Sequence, residues 1–456
     1  MSKLISGEAF QVLEKYLRDT KNSSLFVQEI TGEVVFADEK QIRFELLPET
    51  RGAVLRRFVN GQWIEVAFQV STAQDAKFMM EQLESLARDS SGQETELPPE
   101  HAMEFERIVD PEDDWTDSKK AELAREVVRK IKQGSRHVLS ATVKFRATRI
   151  REEYFSSVKK MHQSYPRFEV IYQADFSGSA GGLGSLHDGF AGAHGWVDAI
   201  SESDIESFVR LGEKNADAKR IEPGMYDLIF TPSLSGILAH EAFGHGTEGD
   251  TILKGRARAA GYFGKSVGSP LVTIIDSPAR SGESASYFFD HEGQMATETK
   301  IVENGILQKP ITDYRTAALL HAERTANGRR QAFDHKVYTR MTNTWFAPGE
   351  SSPEELIASV EYGYLVDHAR NGMEDPNGWG IQLEAMVAEK IVQGKRTGEI
   401  FSPVIITGFV PDILASVSMI SSRAEINGLG MCGKGHKEWV KVTDGGPWMK
   451  LRARLA

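Results

Sequence analysis

The stretch MYDLIFTPSLSGILAHEAFGHG (225–246) decides how the second half of the chain is read. MYDLIFTP has the pattern of a strand, and SLSGILAHEAFGHG that of a helix with a start signal at Ser233. Two histidines, His240 and His245, stand five residues apart near the end of that helix, and Glu241 directly follows the first. On an ideal helix, five steps of about 100° leave the second side chain roughly 140° from the first. The two imidazoles can meet only if the backbone is irregular. A single i→i+5 bulge would absorb the one extra residue. Gly244 and Gly246, on either side of His245, permit such a widened turn.

Outward from this segment the chain divides in two. Pro223-Gly224 marks a boundary. Beyond it, PLVTIIDSP (270–278), ATETKIVENGILQKPI (296–311), GIQLEAMVAEKIVQGKRTGEI (380–400) and SPVIITGFV (402–410) read as strands, with hairpin signals at Asn304-Gly305 and Gly394. Before it, strands and helices alternate. GEAFQVLEKYLRD (7–19) is amphipathic, 24–70 reads as about four strands with a hairpin turn at Asn60-Gly61, and 73–89 returns to helix. The polar, acidic stretch 90–117 reads as a linker or exposed loop, and 117–134 as a helix with Asp117 as N-cap and Gly134 as stop. Strands are expected at 138–157 and 167–178, a flexible loop or strand turns in the glycine-rich 178–196, and a capped helix at 201–220. The expected fold is α+β: an N-terminal α+β domain over 1–220, with a break into subdomains near 90–117, and a β-rich C-terminal domain over 221–456 that carries the helix with the histidine pair.

At 456 residues the chain is long enough for two or three cores. Its 54 basic and 65 acidic residues give a net charge of −11, which argues against a nucleic-acid or anionic-membrane binder. Residues 1–18 form an amphipathic stretch without the apolar core of a signal peptide, and no run of about 18 apolar residues spans a bilayer. A single cysteine, Cys432, excludes an intrachain disulfide. The expected location is cytoplasmic.

The chemistry suggested by the histidine pair is that of a zinc site. A zinc peptidase needs neutral imidazoles, an open coordination position and a carboxylate to take a proton from water. In the common form two histidines four apart share one helix face, and the glutamate beside the first is the base. Here the pair is one residue further apart. The alternative is a buried helix histidine and an unrelated loop histidine. A third ligand is required, and Cys432 stands out, 187 residues past His245 between Gly430-Met431 and Gly433-Lys434. The alternative for Cys432 is a small buried hydrophobe. His291, Arg329, Arg330 and Asn343 are candidate substrate-binding or oxyanion-stabilising groups. The glycine-rich 178–196 lacks the lysine and helix of a phosphate loop.

AHEAFGHGTEGD (239–250) together with INGLGMCGKG (426–435) resembles the TldD half of the TldD/PmbA family, which contains the modulator-of-DNA-gyrase proteins. YFFDHEGQMAT (287–297), NGRRQAF (327–333) and RMTNTWF (340–346) fit as well, and the N-terminal half more weakly. The resemblance implies zinc (Zn2+) as cofactor, with His240, His245 and Cys432 on the metal and Glu241 as general base. It implies a metallopeptidase that hydrolyses short or unfolded peptides. It implies a dimer, either of two copies or with a PmbA-like (TldE) sister subunit, which usually lacks the histidine motif. The alternative is a non-catalytic, peptide-binding subunit of such a dimer. A zinc-stabilised structural domain is disfavoured because structural zinc usually takes four protein ligands, often two or more of them cysteine. The sequence departs from the family at His436-Lys437, where glutamine is common.

Overall fold

Two β-sheets organise the molecule, and the helices pack on them. A computed structural model describes residues 2–92, 95–110, 116–193, 200–434 and 438–456. Parts of the acidic stretch 90–117, the end of the glycine-rich 178–196 and His436-Lys437 lie outside the described residues.

Among the described residues the first sheet has eight strands: β1 (Ser23–Asp38), β2 (Ile42–Leu46), β3 (Thr50–Val59), β4 (Gln62–Phe68), β5 (Met103–Ile108), β6 (Val138–Ser156), β7 (Lys159–Ser177) and β8 (Leu183–Gly192). Three of these are long. β6 lies antiparallel along almost the whole of β1 and of β7. The outer edges are each covered by two short strands: β3 and then β2 on β1, β5 and then β8 on β7. Asn60 and Gly61, both at positive φ (50° and 77°), make the β3–β4 turn, as the Asn-Gly signal predicts.

Four helices cover this sheet in two cores. α1 (Gly7–Asp19) and α2 (Ala73–Arg88) bury Phe10, Leu13, Leu17, Met79 and Leu83 against Leu25, Val27 and Leu55. α3 (Asp117–Gly134) and α4 (Glu202–Ala216) bury Val127, Ile131, Phe208 and Val209 against Phe145, Val170 and Phe176.

Three local expectations change. The stretch 90–117 is not simply a linker: it contains β5, parallel to β7, and β1 pairs with strands on both sides of it, so the sheet runs on unbroken. β5 is the charged sequence MEFERI at a sheet edge, where exposed charges blunt edge pairing and imitate a loop. The glycine-rich stretch contains β8, a ten-residue strand. A Cβ on Gly189 would lie 2.0 Å from Val170 O, so that glycine is set by close strand approach. The N-cap of α3 is Thr116, whose hydroxyl accepts from Lys119 N–H, and Asp117 is the first helical residue.

Among the described residues the second sheet has eleven strands, all beyond residue 223. β9 (Gly224–Phe230) pairs parallel with Tyr362–Glu374 and antiparallel with Thr443–Leu455. Tyr362–Glu374 continues to Gly380–Val392, then Val404–Phe409, which pairs back to Thr443–Leu455. These five strands therefore close into a ring. α5 (Pro232–Ala239) follows β9 and packs Leu234, Leu238 and Ala239 into the core with Leu228, Phe230, Val366 and Leu383. It starts at Pro232, one residue before the expected Ser233, whose hydroxyl instead accepts from Ala369 N–H at 2.8 Å. The fold is α+β with the histidine helix in the β-rich half. Among the described residues no helix is long and apolar enough to cross a membrane.

Candidate metal centre

α5 ends at Ala239, and the next five residues, His240–Gly244, form a single π-helical turn. His245 N–H donates to His240 O, the i→i+5 bond that the histidine spacing requires. A 3-10 turn, His245–Thr247, follows, and Thr247 Oγ1 donates to Phe243 O at 2.5 Å. The extra residue turns the second histidine back toward the first: the ring centroids are 5.0 Å apart, at 82°.

The glycine before His245 serves packing more than backbone freedom. Gly244 has ordinary helical angles (φ −66°, ψ −68°), but a Cβ there would lie 1.9 Å from Met341 Sδ. Met341 is fully buried. Gly244→Ala is therefore expected to destabilise the protein by about 1–3 kcal/mol through overpacking, and to cost less when introduced into Met341→Ala, which removes the clashing sulfur. Urea denaturation of the two variants checks this; an unchanged midpoint for the single variant would contradict it.

Cys432 comes from the other end of the chain. It lies on the strand Met431–Lys434, paired with Glu438–Lys441. Its Sγ is 3.4 Å from His245 Nε2, and one donor atom from each of His240, His245 and Cys432 falls within 4.8 Å of the others. Tetrahedral zinc with one sulfur and two nitrogen ligands needs donors roughly 3.3–3.6 Å apart, so small shifts would suffice. The donor set and its surroundings fit that ion. Each imidazole turns Nδ1 to a carboxylate: His240 to Asp444 Oδ1 at 2.8 Å, His245 to Glu248 Oε2 at 3.2 Å. Such pairs fix ring orientation and leave Nε2 for a metal.

Both carboxylates are held in turn. Gly236 of α5 lies against the strand that carries Asp444: a Cβ there would sit 2.5 Å from Gly445 N. Ser235 Oγ donates to Pro447 O at 2.8 Å. Lys434, two residues past Cys432, donates to Glu248 Oε2 (2.8 Å), Asp250 Oδ1 (2.5 Å) and Thr339 O (3.0 Å). Arg340 Nη2 donates to Cys432 O at 2.6 Å. The thiol strand and the histidine turn are thus tied together through charged groups.

The site is electrically polarised. Burial opposes charge on the Cys432 thiol, but His245 and His240 beside it hold it well below the usual thiol range. Burial likewise opposes protonation of the histidines, yet Asp444 and Cys432 raise His240 well above its ordinary value, and Cys432 and Glu248 raise His245 to about 10. A cation bound among these groups would take the place of protons on the thiol and the imidazoles. Glu248 is held down at about 2: its burial is outweighed by Lys434 and His245.

Glu241 is 8% exposed, and burial raises its carboxyl. The strand Tyr362–Glu374 passes directly beside it, and a Cβ on Gly372 would lie 2.6 Å from its Cγ. Glu374, two residues along the same strand face, has both oxygens buried without a hydrogen-bond partner among the described residues, and burial pushes it up to about 9. The positions of Asp444, Glu248, Lys434 and Gly372 were not singled out by sequence reasoning. Glu248 carried a signal, three residues after His245 in HGTEGD; Asp444, 204 residues from His240, carried none.

None of the four expected substrate-binding residues belongs to the three-donor set; they bond mainly within the protein, while Arg330 Nε and Asn343 Oδ1 are buried without a hydrogen-bond partner among the described residues. His291 Nδ1 accepts from Arg330 N–H at 2.9 Å, so the ring proton is on Nε2, 3.1 Å from Glu152 Oε1. Arg329 donates to Met341 O and Lys441 O, and Arg330 to Glu65 Oε1 and two main-chain carbonyls. Asn343 Nδ2 donates to Ser277 O and Ser286 Oγ. None of the four hydrogen-bonds to His240, Glu241, His245 or the Cys432 thiol.

Residues 223–453, half of the chain, match the family model described as PmbA/TldA metallopeptidase C-terminal domain. The chain belongs to the PmbA/TldD family. Similar relatives include a metalloprotease of Methanothermobacter thermautotrophicus, 35% identical over 57% of this chain and 57% of that protein. A metalloprotease TldD homolog of Haemophilus influenzae is 31% identical over 56% and 54%, and a zinc metalloprotease TldD homolog of Saccharolobus solfataricus 32% over 50% and 51%. The matched stretch spans about half the length of these relatives. The fold as a whole is similar to TldE of Thermococcus kodakarensis, with a TM-score of 0.79 over 98% of this chain and 100% of that one at 15% identity.

Proposed function

We propose that this PmbA/TldD protein is a zinc-dependent peptidase that cleaves short or unfolded peptides. The convergence of His240, His245 and Cys432 on one point, produced by the π-turn, carries this reading. The naming of relatives as metalloproteases, one of them as a zinc metalloprotease, supports it. We assign 1–220 and 221–456 as its two domains, and the second as the one that does the chemistry.

His240, His245 and Cys432 would hold the zinc. When bound, zinc supplies Lewis-acid polarisation of a carbonyl and a more acidic water. Glu241, buried beside the first ligand, accepts a proton from the attacking water and returns it to the leaving amine. Its raised affinity for a proton suits the second of these roles. A thiolate gives zinc more charge than a carboxylate would, which makes the base more necessary. Asp444 and Glu248 keep the two imidazoles oriented and basic.

A cavity of about 640 Å3 reaches Asp444 and is bordered by two strand edges, β8 at Asp188–Ala191 and Met419–Asn427 at Glu425-Ile426. An extended peptide can add itself to such an edge through main-chain hydrogen bonds, with little side-chain selection. The second cleft wall and the assembly would come from a dimer, with a second copy or a TldE-like subunit.

The test is a digest of mixed unstructured peptides read by mass spectrometry. Cleavage is expected to stop on chelation and return with zinc. Cleavage indifferent to chelation, or none in any assembly with zinc bound, would count against a zinc peptidase.

A further inference from the structure

The hairpin that carries Cys432 has a second face. Cys432 pairs with Val440, Met431 with Lys441, and Gly433 with Trp439. Side chains alternate along a strand, so Cys432 and Lys434 turn toward the histidines while Met431, Trp439 and Lys441 turn the other way. There they wall a cavity of about 280 Å3, closed on its far side by Ile30, Ile150 and Tyr165 of the first sheet.

This cavity is strongly cationic. Arg146, Arg167, Arg329, Arg330 and Lys441 line it, against Glu152 and Glu169. The two carboxylates are already engaged. Glu169 pairs with Lys441 and with Arg146, and Glu152 takes His291, Gln28 and Gln163. Arg330 reaches Glu65. Arg167 and Arg329 remain, and among the described residues neither has a carboxylate within ion-pair distance. Arg167 donates to Ser284 O at 2.5 Å, and Arg329 to Met341 O at 2.5 Å and Lys441 O at 2.7 Å. Arg329 is 5% exposed. A guanidinium keeps its charge when buried, and carbonyl dipoles offset only part of the lost hydration. Burial, with repulsion from Arg167 and Arg340, lowers the proton affinity of Arg329. A negative group between these cations would complete the site.

We propose that this cavity binds a small oxyanion, a carboxylate or a phosphate, between Arg167, Arg329 and Lys441, with Tyr165, Tyr287 and Trp439 packing on the group that carries it. The carboxylate could be a peptide C-terminus and the phosphate the free ion. This site is separate from the zinc-ligand set and does not depend on the peptidase reading.

Isothermal titration of the full chain tests it with three probes: inorganic phosphate, an N-acetylated dipeptide acid, and the C-terminal amide of that dipeptide. One site per chain is expected. Preference for the acid over the amide assigns a peptide terminus; binding of phosphate with neither dipeptide bound assigns the free ion. Arg167→Gln, which can still donate to Ser284 O, should weaken binding about tenfold or more. Glu169→Gln, which removes a competing charge, should strengthen it. Phosphate and carboxylate also ligate zinc, so each titration is repeated after chelation. Binding that disappears on chelation, binding unmoved by both substitutions, or no binding of any probe overturns the proposal.

Discussion

Glu241→Gln is expected to keep its zinc and to lose about 100- to 10,000-fold in kcat/KM, the range for a positioned general base. The glutamine has nearly the same shape, so the close contact of this side chain with Gly372 survives. It cannot accept a proton. Glu241 is outside the three-donor set, so metal content should stay stoichiometric. Elemental analysis and peptide turnover of the same preparation separate the two effects. Wild-type turnover would remove Glu241 from the mechanism; lost zinc would make it a ligand or a fold determinant instead.

The second large effect is expected at Cys432. Cys432→Ala removes one of three donors and leaves two imidazoles still oriented by Asp444 and Glu248. Zinc affinity should fall by more than the 10- to 100-fold that outer-shell changes typically cost. The fold should persist, because the change deletes one sulfur from a strand held by Arg340 and Lys434. Competition with a chromophoric chelator measures the loss, and circular dichroism checks the fold. Full zinc content in the variant would mean that another group completes the site.

Parts of this were legible from residue order. The five-residue separation of His240 and His245 demands an irregular turn if the two are to meet, and the π-turn is there. The Asn-Gly signals at 60–61 and 304–305 both mark turns at positive φ. Cys432 was conspicuous because the chain has one cysteine. Other parts were hidden for physical reasons. Asp444 meets His240 where glycines at 236 and 446 let a helix and a strand approach closely, a contact between residues about 200 positions apart. β5 and β8 read as loops because edge strands carry charge or glycine in place of the alternating apolar pattern of a covered strand. His291, Arg329, Arg330 and Asn343 sit in motif-like stretches outside the three-donor set; their bonds tie main-chain segments and buried carboxylates, and Arg329 also lines the cationic cavity. A recognisable stretch of sequence does not distinguish a residue that faces substrate from one that holds a neighbouring segment.

In the proposed centre one sulfur from the far end of the chain and two imidazoles from a π-turn meet on one ion. Zinc K-edge absorption spectroscopy of the zinc-loaded protein measures this directly. One sulfur near 2.3 Å and two imidazole nitrogens at about 2.0–2.1 Å are expected, with light atoms completing the shell. A shell of nitrogen and oxygen alone, with no sulfur, would contradict it.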